Sequence, residues 1–301
     1  MKIKQLTAFS ILAATTTLAY ADYQGQIDVG VQSQTLAFDD TNDEYLETST
    51  TVLEARYYLD AVASENKPVR EAAFMGRNSY IRTGFIQSDI EQGTADDSTD
   101  NLFVRADIHI GETDFRVGGE LSTYSEDNDD LSATSFSAFF GWYPTEMGLL
   151  TIELESVSGD DKLDSDYTST DLIVAYKQVI PLADTLLSVG GGIKSGSTGV
   201  ELAAGNSQEE DLVSTQIFAQ WYPTQQFSFG ARIDSTVTDY NYSNTDTRSE
   251  SGFYVNATYD FNELVGLSAE IGSLSATNDN ILGNDTDESG SNASLALQMR
   301  F

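Results

Sequence analysis

Charged residues in this chain recur at alternate positions within stretches whose other positions are apolar. Arg56, Arg82, Arg105, Arg116, Lys177, Lys194, Arg232 and Arg300 sit this way, and Glu54, Asp107, Glu120, Glu153, Glu155, Asp234 and Glu270 share their phase. Alternate side chains of an extended strand share a face, so these groups are expected to line one polar wall. Opposed acids and bases around a water-filled passage create a transverse field that orients water and solutes. The same groups paired along the wall would only stiffen it. A two-residue turn at Glu112-Thr113 would place Arg105 across from Glu120 and His109 across from Arg116, within cross-strand reach.

Other chemistry has little support. The chain has no cysteine and one histidine, which excludes thiolate chemistry and multi-histidine metal sites. His109 shares a face with Asp107, but no motif places a serine beside them, so a wall histidine is the expectation. Gly190-Gly191-Gly192-Ile193-Lys194-Ser195 lacks phosphate-loop spacing, and glycines within a strand mark a bend or a close approach. Asn278-Asp279-Asn280 and Asp285-Thr286-Asp287-Glu288 offer oxygens without the order of a calcium loop. No metal or cofactor is called for.

The elements that carry these residues are strands. Fourteen are predicted, beginning with Tyr23 to Phe38. The cleanest sets Leu102, Val104, Ala106, Ile108 and Ile110 against Phe103, Arg105, Asp107 and His109, an alternation with a period of two residues. One helical turn is expected over Val69 to Arg77. Ahead of the strands, Lys2 and Lys4, an apolar run from Leu6 to Leu18 and Ala19-Tyr20-Ala21 form a secretory signal, residues 1–21, cut before Asp22. Beyond it no apolar run is long enough for a transmembrane helix. A net charge of −33 excludes nucleic acid as a partner.

Connections alternate between short and acidic. Short ones fall near Gly111 to Asp114, Pro144 to Met147, Pro181 to Ala183, Pro223 to Gln225 and Asn262 to Val265. Longer acidic ones span Asp39 to Glu47, Asp89 to Asp100, Ser125 to Asp130, Gly159 to Asp166, Ser195 to Asp211, Asp239 to Glu250 and Thr277 to Glu288. A β-sandwich has no reason to sort its connections this way, whereas membrane barrels have short turns at one end and long loops at the other. Tyr57, Phe115, Trp142, Tyr143, Trp221, Tyr222, Phe227, Tyr259, Phe261 and Phe301 gather near the short turns, as an interfacial girdle does. Trp-Tyr-Pro-Thr occurs twice, at Trp142 and at Trp221, each time before a short turn.

The final segment alternates Ala293, Leu295, Leu297, Met299 and Phe301 with Ser294, Gln298 and Arg300. A signal peptide, about fourteen alternating strands, acidic loops and a C-terminal Phe together resemble a gram-negative outer-membrane porin of the general-diffusion type. Lys67-Pro68-Val69-Arg70-Glu71-Ala72-Ala73-Phe74 is similar to a periplasmic turn of porins. The resemblance implies an all-β fold, a transmembrane antiparallel up-and-down β-barrel over residues 22–301 in the bacterial outer membrane. It implies contact with outer-membrane lipid and lipopolysaccharide, passage of small hydrophilic solutes and ions, and no enzymatic activity. It leaves a homo-oligomer open. The strand count departs from the sixteen of trimeric porins, and Ser195 to Asp211 is the best candidate for an inward-folded loop. The acidic loops point to cation preference. Three alternatives stay open: a substrate-selective channel using Phe103, Phe139 and Phe218, a closed structural or adhesive barrel, and, last, a barrel enzyme using His109.

Overall fold

The computed structural model describes residues 22–38, 45–92, 95–126, 132–160, 166–201, 207–240, 246–279 and 286–301. Fourteen strands run through them: β1 (Tyr23–Phe38), β2 (Tyr45–Val62), β3 (Tyr80–Gln92), β4 (Ala95–His109), β5 (Phe115–Glu126), β6 (Ser132–Thr145) and β7 (Gly148–Asp160). The second half holds β8 (Asp166–Leu182), β9 (Thr185–Glu201), β10 (Ser207–Tyr222), β11 (Phe227–Tyr240), β12 (Asp246–Asp260), β13 (Val265–Asp279) and β14 (Thr286–Arg300). One helix, α1 (Val69–Met75), lies between β2 and β3. The predicted signal segment, residues 1–21, and the tips of the seven acidic connections lie outside the described residues.

Each strand pairs antiparallel with its sequence neighbours, and β1 pairs with β14, so the sheet is a closed barrel. Closure leaves no edge, which a hydrocarbon environment requires because no water is there to satisfy free backbone groups. The seam runs from Gln26 opposite Arg300 to Phe38 opposite Glu288. Phe301 extends it: its carbonyl accepts from the amides of Gln24 and Gly25, both at 2.8 Å, and its own amide donates to the Gly25 carbonyl at 2.9 Å. The Phe301 ring occupies the space that a Cβ at Gly25 would need, so this glycine is fixed by the aromatic beside it.

Side chains alternate as the pleat dictates. In β6, Phe136, Phe140 and Trp142 are exposed while Ala133, Ser135, Ser137, Phe139 and Tyr143 are buried. Leu121, Phe136, Leu154, Ile217 and Ile271 are all more than half exposed. Large apolar groups thus point outward around the barrel, the reverse of a soluble domain and the arrangement expected against lipid. Among the described residues no helix is long and apolar enough to span a membrane; the strands make the crossing.

Two expectations change. The acidic connections are largely strand: β3 continues to Gln92 and β4 begins at Ala95, and β9 runs to Glu201 before β10 starts at Ser207. Above the lipid both faces of a strand meet water, so backbone pairing continues after the apolar signal has stopped. Within the stretch from Ser195 to Asp211, residues 195–201 and 207–211 are therefore two paired arms of the wall, and residues 202–206 lie outside the described residues. The turn after β4 also holds four residues, Gly111 to Asp114, closed by the Ile110 amide on the Phe115 carbonyl at 2.9 Å. The centre of symmetry is unchanged, and Arg105 does oppose Glu120, as His109 opposes Arg116.

Leu121 points outward from β5 and is more than half exposed. Leu121→Arg is expected to lower stability in lipid vesicles by up to about 2–4 kcal/mol, measured by denaturant-dependent folding, with little change for a Ser122→Thr control on the opposite face.

Candidate functional site

Around the inner face of β2 to β7 the charged side chains form one connected chain. Arg56 meets Glu54 at 2.6 Å, and Arg82 bridges Glu54 at 3.3 Å and Glu120 at 3.2 Å. Arg105 holds Glu153 through two bonds of 3.0 Å and lies 3.7 Å from Glu120, while Ser137 donates to Glu153 at 2.5 Å. Arg105 and Glu153 belong to β4 and β7, so their contact spans the concave side of two intervening strands. Cross-strand register set Arg105 against Glu120; the closer partner is reached along the chord. Three guanidiniums and three carboxylates make this group neutral.

Three further clusters on β7 to β14 hold more carboxylates than cations. Lys194 meets Asp171 at 2.9 Å and Glu155 at 3.6 Å. Arg232 meets Asp234 at 3.0 Å and Glu270 at 3.2 Å. Nearer the acidic end, Arg248 meets Glu250 at 2.6 Å and Glu288 at 2.9 Å. Each of these clusters keeps one surplus negative charge. Asp171, Arg248 and Glu288 were not among the predicted residues, although Asp171 shares the phase of Lys177 on the same strand.

Three predicted residues, Arg116, Asp107 and Arg300, are almost fully buried. Arg116 binds Asp107, with Nε at 2.5 Å from the carboxylate, and donates to the Tyr143 hydroxyl at 2.7 Å. Arg300 is 3 % exposed, held by Asp260 at 3.1 Å, by Gln298 and by the Tyr23 ring. Asp107 is therefore taken by Arg116, and His109 instead meets the edge of Tyr143, with ring centres 5.8 Å apart. No base-and-orienter pair forms. Among the described residues no cluster of metal-binding side chains occurs either. The Asn280 and Asp285 oxygens lie outside the described residues, and Glu288 is engaged by Arg248 and Asn278.

The periplasmic connection carries the expected helical turn as α1 and adds anchoring contacts that sequence periodicity did not predict. Helix α1 packs Val69 and Ala72 against Tyr23, Tyr58 and Val62, and Tyr23 donates to the Val69 carbonyl at 3.3 Å. Glu71 is buried and receives the Tyr222 hydroxyl at 2.8 Å and the Lys177 ammonium at 2.7 Å. Arg70 lies 3.7 Å from Asp260; burial pulls its guanidinium below the ordinary range and Asp260 works against this. Phe74 packs near Tyr143 and under Lys177. After the helix, Arg77 pairs with Asp114 at 2.8 Å and covers the Tyr143 ring. These anchors come from β1, β2, β6, β8, β10 and β12 and from the turn after β4, so α1 lies across the lumen at the short-turn end.

The repeated Trp-Tyr-Pro-Thr now has a physical meaning. In both copies the Trp faces outward and the Tyr inward, so Tyr143 and Tyr222 are buried and leave the girdle to Trp142 and Trp221. One tyrosine contacts Phe74 and Arg77, the other Glu71. Above α1 the lumen holds a cavity of about 840 Å³. Gln26, Asp28, Glu54, Arg56 and Tyr58 line one side, and Thr151, Ile173, Ala175, Gly192, Gln216 and Phe218 the other.

No protein-family model matches the chain, and no curated protein matches it in sequence. Solved structures do. Omp33, an outer membrane protein of Acinetobacter baumannii, superposes with a TM-score of 0.50 at 16% identity, covering 94% of this chain and 100% of that one. An outer membrane channel from Pseudomonas putida gives 0.51 at 14% identity, covering 94% and 97%. A mutant of the monoaromatic hydrocarbon channel TodX gives 0.52 at 11% identity, covering 95% and 92%. The chain thus has the fold of the bacterial outer-membrane β-barrels, a closed transmembrane barrel of fourteen strands.

Removing both partners of Glu71 leaves a buried carboxylate without a donor, which is unfavourable. Lys177→Met combined with Tyr222→Phe is expected to expose Lys67, Arg70 and Arg77 to trypsin, speeding cleavage there at least tenfold. Heat-modified migration on gels should show the barrel still intact.

Proposed function

We propose that this protein is a water-filled outer-membrane channel for small hydrophilic solutes and ions, with a preference for cations. The observation that carries the reading is the lumen wall: a neutral arginine–glutamate group on β2 to β7, and clusters with one surplus carboxylate each on β7 to β9, β11 to β13 and β12 to β14. A continuous polar wall stabilises water inside the barrel, and a surplus of fixed negative charge concentrates cations near it. The acidic upper strands add to that potential over roughly 8 Å at physiological salt. Helix α1 narrows the periplasmic exit.

In this reading the predicted charged residues act by lining and shaping the passage. Those on β2 to β7 orient solutes, and the buried Arg116–Asp107 and Arg300–Asp260 pairs hold the wall in place. The barrel sits in outer-membrane lipid with lipopolysaccharide in its outer leaflet. Residues 1–21 serve export and are removed. No catalytic role is assigned to His109, whose neighbours are Tyr143, Ser79 and Arg116. Specificity by a ladder of open aromatics is less favoured, because Phe103 and Phe139 are buried and covered by Arg82 and Arg105.

Single-channel recording of the refolded barrel in a KCl gradient is the test. The reversal potential should show potassium favoured over chloride, and the preference should shrink as salt rises from about 0.1 M to 1 M, where the Debye length falls to about 3 Å. Chloride preference, or no conductance, would overturn the reading.

A further inference from the structure

Four inward rings nest over strand glycines. A Cβ at Gly84 would meet Phe103 at 2.5 Å, one at Gly190 would meet Phe218 at 2.7 Å, and Phe139 and Tyr254 crowd Gly118 and Gly272 in the same way. All four rings lie on the inner side of the barrel, where a ring face is the surface a cation can cover. Three of those faces carry a guanidinium: Arg82 lies 5.1 Å from Phe103, Arg105 lies 4.4 Å from Phe139 and Arg232 lies 4.1 Å from Tyr254. Phe218 carries none among the described residues. Arg232 stands directly opposite Phe218 in the β10–β11 register, and opposite Tyr254 in the β11–β12 register, and it is committed to Tyr254.

The vacant ring borders the 840 Å³ cavity above α1. It also lies on β10 between two clusters with surplus carboxylate. Lys194 with Asp171 and Glu155 is on one side, and Arg232 with Asp234 and Glu270 is on the other. Asp234 Oδ1 has no hydrogen-bond partner. An aromatic face draws a cation through its quadrupole, and the flanking charge favours the same sign.

From this geometry we infer that Phe218 is the platform of a binding site for small organic cations bearing a guanidinium or ammonium group. The solute takes the place on Phe218 that arginines hold on Phe103, Phe139 and Tyr254. Its charge is balanced by the carboxylate surplus of the neighbouring clusters, and its body lies against Ile173, Ala175 and Gly192. The inference deepens the cation-preferring channel reading by naming a solute class and rests on it for the route of entry, though not for binding itself.

Methylguanidinium is the probe, followed by calorimetry on the refolded barrel in detergent and by block of potassium current in bilayers. Wild-type protein is expected to bind it and to show block at millimolar concentration. Phe218→Leu should weaken both about tenfold, within the range of a partly desolvated cation–π contact, while Phe218→Tyr retains them. Gln216→Arg, at an exposed cavity position on the same face, supplies a tethered guanidinium and should abolish binding even if the leucine variant fails to fold. Binding that survives Gln216→Arg or Phe218→Leu, or wild-type protein that conducts KCl without binding methylguanidinium, overturns the site and leaves the channel reading standing. Binding without any conductance supports the site and overturns the channel reading.

Discussion

Closure of the backbone hydrogen-bond ladder is the constraint on which everything else in this molecule depends. In hydrocarbon an unpaired amide or carbonyl costs several kcal/mol, so β1 and β14 must find each other across most of the length of the chain. The seam they make is continuous from Gln26–Arg300 to Phe38–Glu288, and the C-terminal Phe301 is built into it. Once the ladder is closed, the pleat alone assigns every side chain to lipid or lumen, and the two faces can evolve separate chemistries.

On the lumen side the problem becomes how to keep charge inside a narrow space. Isolated buried ions are costly, whereas paired and hydrogen-bonded ones are tolerated. The barrel solves this differently on its two sides. From β2 to β7, arginines alternate with glutamates so that each guanidinium has a carboxylate and several also have a ring beneath them. From β7 to β13 the same motif is thinner, with one cation for two carboxylates and small residues such as Ala175 and Gly192 between. The first side is densely paired and neutral; the second keeps both space and a surplus of negative charge. A solute in the cavity meets these two walls at once, and the difference between them gives the lumen a direction across its width.

Much of this was legible in the sequence because period-two alternation is a strong signal wherever one face meets lipid. Tyr23–Phe38 appears in the structure with the bounds its pattern suggested, and Arg105 opposes Glu120. The signal fails where its cause fails. Above the membrane Asp96 to Asp100 remain strand although both faces are polar, so they were expected to be loop. Ion pairs that span the barrel's concavity, such as Arg105 with Glu153, follow from curvature and not from local register. Tyr143 and Tyr222 were placed in the girdle because aromatics near short turns usually belong there, but alternation after an outward Trp sends the next residue inward.

Helix α1 shows how a short segment can be both foreign to the barrel and specified by it. Seven residues cannot sustain a helix alone, and its Pro68 cap gives no side-chain hydrogen bond. Its stability must come from the wall: Tyr23 and Tyr58 pack its apolar side, and Lys177 and Tyr222 neutralise and bind Glu71. The anchors reach α1 from strands far apart in sequence, so the helix relies on contacts that only the assembled barrel brings together. The two Trp-Tyr-Pro-Thr turns fit this dependence, since each puts an anchoring tyrosine in place through the geometry of its own strand. The short-turn end of the lumen is consequently shaped by an element that the wall itself must hold, through an apolar side packed on Tyr23 and Tyr58 and a carboxylate held by Lys177 and Tyr222.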